Sequence, residues 1–225
     1  MKINNRLKRL SSYIEDNSHF IDVGCDHALL GIYLVKTKNN IKVIASDIAE
    51  GPLKQAKLNI DKYDLNDSIK IKLGSGISTI EDDIDTIVIS GMGGLNIVDI
   101  LESDRDKLSN IKRIILSPNN FHKEVRNEIS KLGFKILCEE IVFEKGKYYP
   151  IIVFVPGNIE LDQNDLLFGY NVLNNNDLIS YYNYIIDLYE KRLRTVPDSD
   201  KKENMMKNIL YLKNKVKGLH RNTKI

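Results

Sequence analysis

Strand and helix signals alternate through the first 157 residues, and no other property of the chain constrains its fold so tightly. HFIDVG at 19–24 reads as a short buried strand, ALLGIYLVK at 28–36 as a helix and KVIASD at 42–47 as a second strand. EGPLKQAKLNIDKY at 50–63 is a helix with Pro52 in its first turn, where the missing N–H costs nothing. SIKIKLG at 68–74, DTIVISG at 85–91 and KRIILSP at 112–118 supply three further strands. Helices are predicted near 94–103 and over 122–132, the second stopping before Gly133. FKILCEEIVF and YYPIIVFVPG are two final strands, and the short turn at Glu144–Gly146 requires them to pair antiparallel. An amphipathic opening helix is expected from Ile3, Leu7, Leu10 and Ile14, spaced 4, 3 and 4. Such alternation yields an α/β fold, a doubly wound sheet with helices on both faces. Here it is closed by an antiparallel terminal hairpin.

The pattern changes after Pro156 and Gly157. Leu178, Tyr182, Ile185, Tyr189, Leu193 and Val196 form one seam at helical period, and Met205, Ile209, Leu212, Val216 and Leu219 form another. The turn Pro197-Asp198-Ser199-Asp200 joins them, so a C-terminal antiparallel helical hairpin, coiled-coil-like, is expected over 158–225, with a first domain over 1–157. Charge follows the same division. Residues 1–14 carry +4 and residues 188–225 carry +7, which leaves −9 for the middle of a chain whose net charge is +2. Basic ends suggest an anionic macromolecular partner. The longest apolar runs are too short to span a bilayer, and the N-terminus lacks the unbroken apolar segment of a signal peptide, so a cytoplasmic protein with no membrane partner is expected. Cys25 and Cys138 form no CxxC pair and the four histidines are scattered, so no metal site is expected. A monomer is expected as well.

Ligands of doubly wound sheets bind at the carboxyl ends of the strands, at the switch point. The first strand ends in DVGCDHALLG, where a dinucleotide site would need GxGxxG. Only Gly24 fits, and Asp26 stands at the second glycine position, where it would repel a pyrophosphate. A cationic cofactor without phosphate suits this loop, and S-adenosylmethionine is one. In that reading Asp22 organises the loop and receives the ammonium, Gly24 allows close backbone approach, and Asp47 holds the ribose hydroxyls. Gly74-Ser75-Gly76 faces the adenine, and Gly91-Met92-Gly93-Gly94 opens room for substrate. Cys25, as a small filler, and Ile48 complete the cofactor-binding set. His122 is expected to face solvent at a helix start. Together these features give the Rossmann-like architecture of class I methyltransferases.

DVGCDHALLG, SDIAEGPL and ISGMGG, in this order, resemble the TrmK family, bacterial enzymes that methylate N1 of the adenine at position 22 of tRNA. The resemblance covers the whole chain and implies S-adenosylmethionine as donor and tRNA as substrate. The chain departs from the family's usual residues at Leu29 (an aromatic), Gly31 (proline), Ser75 (aspartate) and Ser117 (glutamine).

A GMGG loop offers no side chain to grip an exocyclic amine, which suits attack by a ring nitrogen. Adenine N1 already presents an in-plane lone pair, so catalysis is mainly alignment. The attack creates positive charge on the base, which Asp26 is expected to stabilise or relieve of a proton, with His27 as the secondary candidate. Lys2, Arg6, Arg9 and Tyr13 form a basic stripe along the first helix, and the hairpin adds Arg192, Arg194, Lys207, Lys213, Lys217 and Arg221. These are expected to grip tRNA phosphates, with Leu29 and Asn119 nearer the base. Two other readings use the same residues. One is a methyltransferase for another RNA or a small molecule, the other an RNA-binding protein without turnover.

Overall fold

Seven strands of the computed structural model, which describes residues 3–222, form one mixed sheet in the order β3-β2-β1-β4-β5-β7-β6. They are β1 (His19–Val23), β2 (Lys42–Asp47), β3 (Ile69–Leu73), β4 (Thr86–Ser90), β5 (Arg113–Ser117), β6 (Phe134–Glu144) and β7 (Lys147–Pro156). The first five are parallel, and β7 inserts antiparallel between β5 and β6. The order runs outward from β1 to β3 and then returns to β4 on the other side of β1. This leaves the switch point between β1 and β4. The two-residue turn between β6 and β7 has Lys145 and Gly146 at φ 49° and 78°, the left-handed pair that tight hairpins favour.

Helices α1 (Asn5–Ser11), α2 (Leu29–Thr37) and α3 (Glu50–Lys62) bury Leu10, Leu30, Leu34, Leu53 and Ile60 on one face of the sheet. Helices α4 (Gly94–Ser103) and α5 (His122–Lys131) bury Ile97, Leu101, Val125 and Ile129 on the other. Helix α1 is shorter than its seam suggests. The Ser11 and Ser12 hydroxyls donate to the carbonyls of Lys8 and Arg9 in place of the next helical turn. Leu10 and Ile14 are buried all the same.

Beyond Gly157 the two expected helices are α7 (Asn176–Leu193) and α8 (Asp200–Asn222), packed against each other through Ile186, Ile209 and Leu212. Before them lies a helix that periodicity missed, α6 (Gln163–Phe168), too short to show a seam. It starts with a capping box in which Asp162 and Asp165 satisfy each other's backbone N–H. The helical hairpin rests on the sheet, because Ile141 of β6 belongs to its apolar cluster and Tyr148 of β7 packs against it. Consecutive residues of β6 point to opposite faces. Glu139 meets Arg126 of α5 and Glu140 meets Arg9 and Tyr13, so each face of that strand holds a buried acid. No helix among the described residues is long and apolar enough to cross a membrane.

Candidate cofactor and acceptor crevices

Two adjoining crevices open at the carboxyl ends of β1, β2 and β4. The first, of about 430 Å³, is lined by Asp22, Gly24, Cys25, Asp26, His27, Leu29, Asp47, Gly91 and Met92, with Asn4, Arg6 and Leu7 of the N-terminal segment as one wall. The second, of about 510 Å³, is lined by Ile48, Gly74, Ser75 and Gly76, with Asn96, Asp99 and Ile100 of α4. Gly24, Asp47 and Met92 border both. Among the described residues, none after 157 lines either one.

The loop after β1 has a backbone few sequences adopt. Gly24, Asp26 and Ala28 all have φ between 50° and 70°, the left-handed region. The Ser46 carbonyl holds the bend by accepting from the N–H groups of Gly24 (2.8 Å) and Cys25 (3.1 Å). The expectation that Asp22 organises this loop is therefore corrected, since Asp22 accepts no backbone N–H among the described residues. Asp22 is only 6% exposed, and no basic side chain among the described residues pairs with it. Burial, and then the charge of Asp47, push its pKa up to about 7. An acid stranded in this way is a receptor for a cation. Asp47 closes β2, and one of its oxygens accepts the Ala49 N–H at 3.0 Å while the other has no protein partner among the described residues.

Burial, reinforced by Asp22 and Asp47, pushes the Cys25 thiol up to about 12, so it is a neutral filler. Ile48 is 74% exposed at the rim of the second crevice, an apolar surface for a flat ring. Gly76 has φ 55°, and a Cβ there would lie 2.8 Å from Ile100 Cγ2. Met92 lies across Gly24 between the crevices, where any side chain at 24 would collide with it. Gly93 lines neither crevice. It starts α4, its carbonyl accepting from Ile97.

Asp26 stands 70% exposed at the mouth, with His27 Nε2 3.5 Å from its Oδ1. It caps no helix, for α2 has no side-chain cap at all. Asn119 lies behind the GMGG loop rather than at the base site expected of it. Its amide donates to the Gly91 carbonyl at 2.6 Å and its N–H to the Met92 carbonyl at 2.9 Å. Asn120 was missed by sequence reasoning. It accepts the Gly94 N–H at 3.0 Å and so caps α4. His122 is half-buried rather than solvent-facing. Burial, and then the Arg126 charge, bring its pKa down to about 4, while its Nε2 sits 3.3 Å from the Pro118 carbonyl.

The basic stripe of α1 is only partly an exposed row, for Arg9 is exposed while Arg6 is half-buried. Lys2 lies outside the described residues. Arg9 ion-pairs with Glu140, which also accepts from the Tyr13 hydroxyl at 2.8 Å and the Asn175 amide at 3.1 Å. Burial drives the Glu140 carboxyl up, but these hydrogen bonds outweigh it and hold it below the ordinary value. Arg6 turns into the first crevice. On the hairpin, Arg192, Lys207, Lys217 and Arg221 are exposed as expected, Lys207 sharing an ion pair with Glu203 at 2.6 Å. Lys213 pairs with Glu190 at 2.7 Å.

Residues 3–152 match the family model described as a methyltransferase domain. The chain is 35% identical over 159 residues to tRNA (adenine(22)-N(1))-methyltransferase of Bacillus subtilis, covering 70% of this chain and 67% of that one. It superposes on the solved structure of Streptococcus pneumoniae Sp1610 in complex with S-adenosyl-L-methionine with a TM-score of 0.85 at 31% identity, covering 95% and 99% of the two chains. M. capricolum TrmK in complex with S-adenosyl-homocysteine gives a TM-score of 0.78 at 26% identity, covering 99% and 98%.

Proposed function

The chain belongs to the TrmK family of methyltransferases, and from that premise we propose that it transfers a methyl group from S-adenosylmethionine to N1 of the adenine at position 22 of tRNA. One observation carries the reading. Asp22 and Asp47 lie at the ends of neighbouring strands in one crevice, and among the described residues no basic side chain pairs with Asp22, which favours a cationic ligand. Asp22 suits the donor's ammonium, Asp47 its ribose, and Ile48 with the Gly74–Gly76 loop its adenine. Bound there, the cofactor supplies an electrophilic methyl group.

The residues of this chain do the rest. Gly91 and Met92 themselves offer no side chain that could hold an exocyclic amine, which favours a ring nitrogen. The Asn119 brace fixes their carbonyls, so the wall against which the base aligns is rigid. Asp26, exposed at the mouth and free of any capping role, is placed to stabilise the positive charge that N1 methylation leaves on the base, or to take an N6 proton, with His27 beside it. Swinging a stacked adenine into the crevice costs about a few kcal/mol. Contacts to tRNA phosphates by Arg192, Lys207, Lys217 and Arg221 supply it. The reading includes a monomer acting on cytoplasmic tRNA.

The test is transfer of label from S-adenosylmethionine to tRNA, with the product nucleotide identified and mapped. Label at N1 of adenine 22 supports the proposal. Label elsewhere, or none while the donor binds, rejects it.

A further inference from the structure

Arg6 is the one charged side chain of the first crevice whose role neither the fold nor the proposed chemistry explains. It enters from α1, and its guanidinium carbon lies over the Tyr149 ring, 4.4 Å from the centroid. Its Nη2 reaches the floor beneath Gly91, 3.4 Å from where a Cβ at that position would stand. Its Nε and Nη1 are shut off from solvent and have no hydrogen-bond partner among the described residues. Buried guanidinium N–H groups without acceptors are rare, because each forfeits its bonds to water. The same crevice contains Asp22, a buried acid without a base. The two opposite charges share one cavity and form no ion pair. A protein that merely needed to neutralise them would have let them meet.

We propose that Arg6 is a positioning residue that binds an oxyanion inside the crevice. Resting on the proposed function, this gives the donor's amino-acid end a complete receptor, with Asp22 for its ammonium and Arg6 for its carboxylate. A phosphate of the inserted nucleotide offers the same chemistry. The planar fork suits either oxyanion. The rest of α1 is built to hold it. Asn4 accepts the Leu7 N–H at 2.8 Å, Glu144 accepts the Asn5 N–H at 2.8 Å, and Arg9 and Tyr13 close on Glu140. Four ties thus fix a seven-residue helix and the segment after it, and the arginine in its first turn points inward.

Calorimetry on the full chain decides the matter, first with S-adenosylmethionine, S-adenosylhomocysteine and decarboxylated S-adenosylmethionine in the absence of tRNA, and then with tRNA alone. Arg6→Met keeps the apolar stem over Tyr149 and removes the charge, while Arg6→Lys keeps a charge and loses the fork. If the carboxylate is the anion, Arg6→Met weakens both carboxylate-bearing ligands about ten- to a hundredfold. The decarboxylated analogue then binds wild type and variant alike, and Arg6→Lys falls between. If donor affinity is unchanged but tRNA affinity drops by a similar factor, the anion is the phosphate. Unchanged affinity for both overturns the proposal. Should Arg6→Met not fold, as judged by its melting curve, the same comparison is made with Arg6→Lys. Wild type that fails to bind the donor at all defeats the proposed function instead.

Discussion

Asp22 makes the crevice sensitive to pH. Its carboxyl, raised to about 7 from an ordinary 3.8, keeps its proton in the folded chain over a range where the unfolded chain has lost it. Its contribution to stability is therefore largest near pH 4 and declines as pH rises towards 7. A bound cation needs the ionised form. S-adenosylhomocysteine affinity is thus expected to climb about tenfold per pH unit up to about 7 and then level off. In Asp22→Asn, calorimetry should find weaker binding and a flat profile; a sloping profile in the variant would assign the titration to another group. Asp26→Asn is expected to slow methylation by about a hundredfold or more at unchanged donor affinity, as general-base or electrostatic roles require. Full activity would remove Asp26 from the chemistry. Strand-end acids such as Asp22 and Asp47 were legible from sequence because strand and motif are local. The pairing of Arg9 with Glu140, and the turning of Arg6 away from the surface, were not, since their partners lie more than a hundred residues along the chain.

Among the elements, the strands read best. Alternation and turn residues placed all seven, down to the Lys145–Gly146 bend. Helix α6 escaped because six residues make less than two turns, and α1 was overextended because Ile14 stays buried after the helix has ended. The consecutive glutamates of β6 look like a solvated pair in sequence, yet both are buried. Glu139 receives a two-pronged contact from Arg126, at 2.9 and 2.8 Å, with side chains 0% and 1% exposed, and also accepts the Tyr170 N–H. Arg126 in turn donates to the Leu166 carbonyl at 2.8 Å, which joins α5, β6 and α6 at one point. Glu139→Gln leaves a buried guanidinium without its counter-charge and is expected to cost about 3–5 kcal/mol in urea unfolding. Replacing both partners with Met should recover much of that loss. A single variant as stable as wild type would show that water reaches the pair.

At the scale of the molecule, the middle of the chain is acidic and its two ends are basic, which in the proposed function divides chemistry from grip. The exposed cations of α7 and α8 are separate from both crevices. Changing Lys207, Lys217 and Arg221 together to Ala is expected to weaken tRNA binding and flatten its dependence on salt by up to about three counterions, with donor affinity intact. A salt slope equal to that of wild type would move the RNA elsewhere on the surface. The change of pattern near 157 was visible in sequence. Less visible was how firmly the two parts are joined, because the joints are side chains such as Asn175, which reaches Glu140 from the start of α7. β6 therefore acts as a shared spar. One of its glutamates anchors the segment that leads to the helical hairpin, and the next anchors the wall that aims Arg6 into the crevice. The helical hairpin and the crevice wall thus meet on two consecutive residues of one strand, so a change at either glutamate is felt on both sides of the molecule.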